Sequence, residues 1–333
     1  MAEEKRFAKA TWQIMEQLLE VDNLDDALSG SLEIIVKTLN SEAGAIWLLD
    51  AKTDRLSPMF HIGPVDLSNI TVENGLGIEG VVTETGKSVI VEDAASDARF
   101  DGSAFRAALL VEDGQVSDKS VTAAVTGGTV EARKAEGICI ESQGEAFNGI
   151  YVAGGEYVIR NSEFDFTGDG GNDFAGYGSA VMATGEGTRL TLEDSHICTE
   201  GVVRTTLTPA NGANVIVKGS VLEANDGVLP EDYVPNTSLG YMKSVPWMLG
   251  LSGNNRATNM LGANTQETFI GSSVSTGGWG ILSVDDCNSV KLTGINSRFF
   301  TTGIAGYGCY GIGNAIDRFY GCDFDVATYA AIM

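Results

Sequence analysis

Basic residues are scarce in this chain: 21 Lys and Arg face 45 Asp and Glu, a formal net charge of −24. The deficit runs through both parts, with 9 basic against 19 acidic residues in 1–106 and 12 against 26 in 107–333. Neither part offers the basic stripe that a phosphate backbone requires, so nucleic acid is excluded as a main partner and anionic lipid is disfavoured. Long apolar runs are also missing. No stretch approaches the roughly 20 apolar residues of a membrane helix, so no membrane span is expected. Met1-Ala2-Glu3-Glu4-Lys5-Arg6 runs into a mixed helical pattern without an apolar core, so no signal peptide is visible. Cysteine is limited to Cys139, Cys198, Cys287, Cys309 and Cys322. An odd count without short paired spacing points to buried or free thiols, not to a disulfide frame or a zinc site. Histidine occurs only as His61 and His196, and proline only 6 times.

What the chain does have is a globular balance, 43% apolar and 20% charged, and 42 glycines crowded into its second two-thirds. At 333 residues it is long for one core, and about 150 residues per domain suggests two. Phe7, Trp12, Ile14, Met15, Leu18 and Leu19 fall near helical spacing. Leu24, Ala27, Leu28, Leu32, Ile35, Val36 and Leu39 form a second such pattern. Ala43 to Asp50 has strand length, and Leu56 to Ile62 returns as its hairpin partner. Gly75 to Thr85 opens a short helix that Gly86 can cap, and Ser88 to Glu92 is the next strand.

The run Gly75-Leu76-Gly77-Ile78-Glu79-Gly80-Val81-Val82, then Thr85-Gly86-Lys87-Ser88-Val89-Ile90-Val91 and Asp93-Ala94 to Asp97-Ala98-Arg99-Phe100, is similar to the core signature of GAF domains. The resemblance covers roughly residues 5–105. It implies an α/β sensor and dimerisation module whose sheet cups a small ligand. The segment is incomplete against that pattern: two apolar strands and a helix should follow, and only Ala107 to Gly114 offers one strand. No cyclic-nucleotide signature is present, and no cysteine precedes Cys139 to anchor a bilin. His61 reads more readily as a strand-end surface histidine than as a ligand contact.

From about residue 107 the chain repeats. Asn161-Ser162-Glu163-Phe164, Asp194-Ser195-His196-Ile197, Gly219-Ser220-Val221-Leu222, Gly271-Ser272-Ser273-Val274 and Gly321-Cys322-Asp323-Phe324 each follow an alternating strand. Val290-Lys291-Leu292-Thr293-Gly294-Ile295-Asn296-Ser297 is a looser sixth copy. The small residues at 162, 195, 220, 272 and 322 lie 33, 25, 52 and 50 apart, as if each of the last two gaps held a further rung. Such a period with several short strands predicts a stacked coil, with aligned Ser or Asn forming hydrogen-bonded ladders. Gly149 to Val152, Gly178 to Met182 and Gly280 to Val284 supply a second strand family. The repeat resembles the right-handed parallel β-helix of the pectin-lyase-like superfamily over about 107–333. That resemblance implies an all-β solenoid scaffold, whereas activity varies among its members. Residues 226–265, with prolines at 230, 235 and 246, break the rhythm as a long insertion, which is either a binding loop or a packing flap. The end at Ala330 to Met333 reads as an uncapped rung.

Three sets of residues carry candidate chemistry. Val284-Asp285-Asp286-Cys287 is similar to the paired-aspartate strand of polygalacturonase-type β-helix hydrolases, which implies Asp285 and Asp286 as catalytic carboxylates. The Gly-His-Gly motif of that family has no counterpart in Gly306 to Gly313, and a solvated turn is the favoured alternative. Asp165, Asp169 and Asp173, separated by glycines, form a loop able to wrap calcium, the one cofactor in view. Their solvated alternative is likewise favoured. Trp247 and Tyr241 in the insertion, with Trp279 and Tyr307, are candidate platforms for a carbohydrate or small-molecule ligand.

The leading expectation is a noncatalytic scaffold or carbohydrate-binding β-helix carrying a GAF-like segment that can dimerise. A polysaccharide hydrolase or lyase is the alternative. A GAF-like part suits the cytoplasm, whereas a β-helix of this type suits the cell surface or exterior. That conflict is also what a fragment or an artificial junction near Phe100 to Ala107 would produce.

Overall fold

The computed structural model describes residues 2–20, 23–50, 52, 55–63, 72–73, 77–89, 107–231, 233–235, 237 and 242–333. The chain divides into two compact units, Met1–Ala104 and Phe105–Met333.

In the first unit, helices Ala2–Glu20 and Leu24–Leu39 precede an antiparallel pair, Gly44–Asp50 with Arg55–Ile62. Asn23 caps the second helix by accepting the Asp26 amide at 2.8 Å, and left-handed Asn40 ends it. Val72–Glu73 adds a short third strand, and Gly77–Thr85 is helical. Ala10, Ala27, Leu32 and Leu56 are buried, whereas Phe7, Trp12, Met15 and Leu18 project from the first helix into solvent. Asp93 to Phe100, the last part of the GAF-like signature, lies outside the described residues.

The second unit is predominantly β, built on one large and mainly parallel sheet. Its strands form three parallel ladders; the second and third alternate between buried and more exposed residues, as in Glu156–Arg160 and Glu163–Thr167, whereas the first is buried at nearly every position, as in Leu207–Ala210. The first runs through Ala107–Glu112, Asn148–Ala153, Val181–Thr184, Leu207–Ala210 and Arg256–Ala263. It continues into Gly280–Ile295, Tyr307–Tyr320 and Tyr329–Ile332. The second aligns Tyr157, Leu190, Val215, Glu267, Leu292 and Asp317 on its inward side. The third aligns Ile140, Phe164, Ile197, Leu222, Val274, Phe299 and Phe324. These inward rows, except their polar members, fuse into one apolar core.

Between the second and third ladders the chain turns on two residues. Asn161, Asp194, Gly219, Gly271, Asn296 and Gly321 all have φ between 46° and 62°, a conformation open to Gly, Asn and Asp. The next residue is small, serine in five of the six and Cys322 in the last, so that its hydroxyl or thiol can turn back to the chain. Ser195 Oγ accepts the Ser162 amide, Ser220 Oγ that of Ser195, Ser272 Oγ that of Ser220 and Ser297 Oγ that of Ser272, at 3.1–3.4 Å. Each serine in turn donates to the carbonyl two residues back. The expected ladder is therefore present, and Ser297 occupies the middle of the 272–322 gap.

The 220–272 gap is different. Val221 pairs directly with Ser273, so no extra rung lies between them. The chain leaves after Asp226 and returns at Arg256, which makes the excursion shorter than the 226–265 insertion read from the sequence. Residues 256–263 form a core strand instead, because Thr258 to Leu261 continue the first ladder. One rung escaped the repeat pattern: at Gly137-Ile138 the corner residue is apolar, and its amide donates to Ser162 Oγ at 3.3 Å.

Candidate functional site

The outward side of the first ladder is covered by residues 170–178 and by the described parts of the 227–253 excursion. The cover has its own apolar contacts. Met242 and Val245 pack with Val202, Val203, Trp279 and Tyr307, joined by Leu229, Leu249 and Leu251. Its base is clasped: Asp226 Oδ1 accepts the amides of Asn254 (2.8 Å) and Asn255 (2.9 Å), and the Asn254 side chain bonds both the amide and the carbonyl of Gly227.

Beneath the cover sits a buried ion triad. Arg256, at the start of its strand, donates through Nε and Nη2 to Asp173 Oδ2 at 2.8 and 2.6 Å, and through Nη1 to Asp285 Oδ2. Its guanidinium lies between the rings of Phe174 (4.7 Å) and Trp279 (4.6 Å). Asn259 Nδ2 donates to the Asp173 carbonyl, fixing the turn that delivers the carboxylate. Tyr307 OH and Ser283 Oγ are 2.8 Å apart. Burial opposes the Arg256 charge, but Asp173 and Asp285 outweigh it and hold the guanidinium protonated. Burial pushes the Asp173 carboxyl up, with Arg256 working against that shift. The Tyr307 phenol is also raised by burial.

The candidate residues meet different fates. Leu261 pairs with Asp285 and Gly262 with Cys287, so a bulge at Asp285-Asp286 takes Asp286 out of the ladder. The Asp286 side chain lies outside the described residues. Trp279 and Tyr307 are brought together with Asp285, but all three are buried. Trp247 stands apart at 62% exposure within the excursion, and Tyr241 lies outside the described residues.

Asp165, Asp169 and Asp173 are not gathered around one point. Asp165 faces outward beside Cys198, Asp169 Oδ1 accepts the Val202 amide at 2.9 Å, and Asp173 serves Arg256. Among the described residues no three His, Cys, Asp or Glu side chains are arranged to hold a metal ion. His196 points outward with Nε2 2.9 Å from Glu223 Oε2. The sequence reasoning missed Arg256 and Phe174, and no local signal could have found them, since Asp173 and Arg256 are 83 positions apart. Among the described residues no helix is long and apolar enough to cross a membrane.

No protein-family profile matches this chain, and no significantly similar curated protein or solved structure was found.

Proposed function

We propose that residues 107–333 form a right-handed parallel β-helix of the pectin-lyase-like type that acts as a noncatalytic carbohydrate-binding scaffold. The observation that carries this reading is the position of Asp285: its carboxylate is spent on Arg256 and shielded by the cover. A hydrolase needs two carboxylates reaching the scissile bond with room for water or a covalent intermediate. Three parallel ladders, the second and third joined by a two-residue serine corner, support the coil. A polar row along the outside of the second ladder, Glu156, Arg189, Asn214, Gln266 and Lys291, supports glycan contact. It offers one hydrogen-bonding side chain per strand spacing of about 4.8 Å. Trp247 supplies an exposed aromatic face.

The test is titration of the full chain with soluble neutral and acidic polysaccharides while free reducing ends and unsaturated products are monitored. Retention without cleavage is expected, with Trp247→Ala weakening it about tenfold. Cleavage abolished by Asp285→Asn would replace this reading with that of a hydrolase or lyase.

A second reading concerns the first unit. We infer that its GAF-like segment self-associates through the first helix, where Phe7, Trp12, Met15 and Leu18 form an exposed apolar set. Sedimentation of the full chain should show a dimer that Trp12→Glu converts to monomer. A wild-type monomer at all concentrations would refute it.

A further inference from the structure

Glu267 occupies a core position. It follows Val215 and precedes Leu292 on the inward row of the second ladder, and it is 1% exposed. One carboxyl oxygen receives a long hydrogen bond from Thr258 Oγ1 at 3.5 Å, and the other has no partner. None of the strands packed against it sends a cation inward. The strand before it contributes Val215 and Val217, and the first ladder contributes Ala257, Thr258 and Met260. Gly280–Ile295 contributes Leu282, Val284, Leu292 and the Cys287 thiol. Tyr307–Tyr320 contributes the Cys309 thiol and the Asp317 carboxyl, which hydrogen-bond each other at 3.5 Å. From the third ladder come Val274 and Phe299. Every ionisable neighbour is thus an acid, and ionisation of one raises the cost of ionising the next.

We propose that Glu267 is a proton-held catch inside the coil: with its proton the rungs around 256–295 close, and loss of the proton loosens them while the earlier rungs stay shut. A neutral carboxyl can remain in this interior with one weak hydrogen bond. A carboxylate there has neither a counter-charge nor a set of donors, so opening toward water becomes its way out.

The direction of the pH effect follows. Burial pushes the Glu267 carboxyl up to about 8 from the ordinary 4.5. Below the ordinary value both closed and open forms are protonated, and pH has no effect through this group. Between the two values only the open form releases the proton, so opening gains up to tenfold per pH unit. Above about 8 the closed form ionises as well, and the dependence levels off. Asp317, also raised by burial, acts in the same sense.

The experiment is amide hydrogen exchange on the full chain from pH 5 to 9, corrected for the intrinsic rate and resolved by peptide. The opening of 266–270 and 290–294 is expected to grow by up to tenfold per unit until about pH 8 and then flatten. Glu163–Thr167 and His196–Gly201 should not follow it. Glu267→Gln should remove most of the rise, and Glu267→Leu, which needs no partner, should do the same. A flat wild-type profile, a wild-type rise retained in either variant, or an equal rise in the earlier rungs would each overturn the proposal.

Discussion

Replacing Arg256 with methionine is expected to destabilise the 105–333 unit by about 3–5 kcal/mol, read as a lower urea midpoint. Arg256 is 2% exposed, and its partners Asp173 and Asp285 have side chains only 1% and 8% exposed. Removing the cation leaves two carboxylates in a dry site with nothing to balance them. The stacking of Phe174 and Trp279 on the guanidinium is lost as well. Adding Asp173→Asn and Asp285→Asn to Arg256→Met should recover much of the loss, because an uncharged set needs no counter-ion. Acidification should do likewise: burial raises the Asp173 carboxyl and Arg256 opposes that shift, so without Arg256 this group takes up a proton more readily and the deficit of Arg256→Met should shrink as pH falls. An Arg256→Met protein with an unchanged midpoint would show that the triad contributes nothing.

Phe299→Ala is expected to cost a similar amount, about 3–5 kcal/mol, for a different reason. The ring is fully buried and meets Phe269 edge-on at 5.6 Å, Phe319 at 5.9 Å and Phe324 at 4.9 Å between centroids. Truncation opens a cavity that strands locked in a hydrogen-bonded ladder cannot collapse to fill. The effect should concentrate in the strands after Ser272, since Arg298–Thr301 pairs with Ser273–Thr276 on one side and Asp323–Asp325 on the other. Peptide-resolved hydrogen exchange should therefore show strong loss of protection at 298–301 and 323–325, with 163–167 little changed. Phe299→Leu, which refills most of the space, should lose less than half as much.

Much of the parallel-strand pattern was legible in the chain because its demands are local. A left-handed corner needs Gly, Asn or Asp, an inward-turned hydroxyl needs Ser next to it, and the following strand must alternate. Asn161-Ser162, Asp194-Ser195 and Gly271-Ser272 satisfy all three within a few residues. Where a corner departs from that chemistry the repeat disappears from view, as at Gly137-Ile138, whose rung is recognised only by its pairing. Counting by period also misjudged the 220–272 gap. Two rungs and one rung with a long excursion have the same length in sequence, and only the pairing of Val221 with Ser273 distinguishes them.

The candidate site was less legible. Asp285 stood out as one of a pair, yet its role depends on Arg256, 29 positions earlier, and on Asp173, 112 positions earlier. Trp279 and Tyr307 were noted as aromatic platforms, but alternation along a strand does not say whether another segment covers its outward face. Glu267 looked like an ordinary member of the strand Glu267-Thr268-Phe269-Ile270. In fact its register puts the carboxyl inside, aligned with Val215 and Leu292.

By itself the sequence determined the acidic character of both parts, the change near residue 107, the period-2 strands and the serine corners. These follow from composition and from contacts a few residues apart. Only the tertiary structure decided which strands are neighbours, that Leu229, Met242 and Val245 pack against Trp279 and Tyr307, and that Arg256 binds both Asp173 and Asp285. The physical reason is that burial and charge pairing belong to surfaces brought together by stacking. A side chain's protonation and partners are then set by residues one or more rungs away, at distances along the chain that no local pattern records.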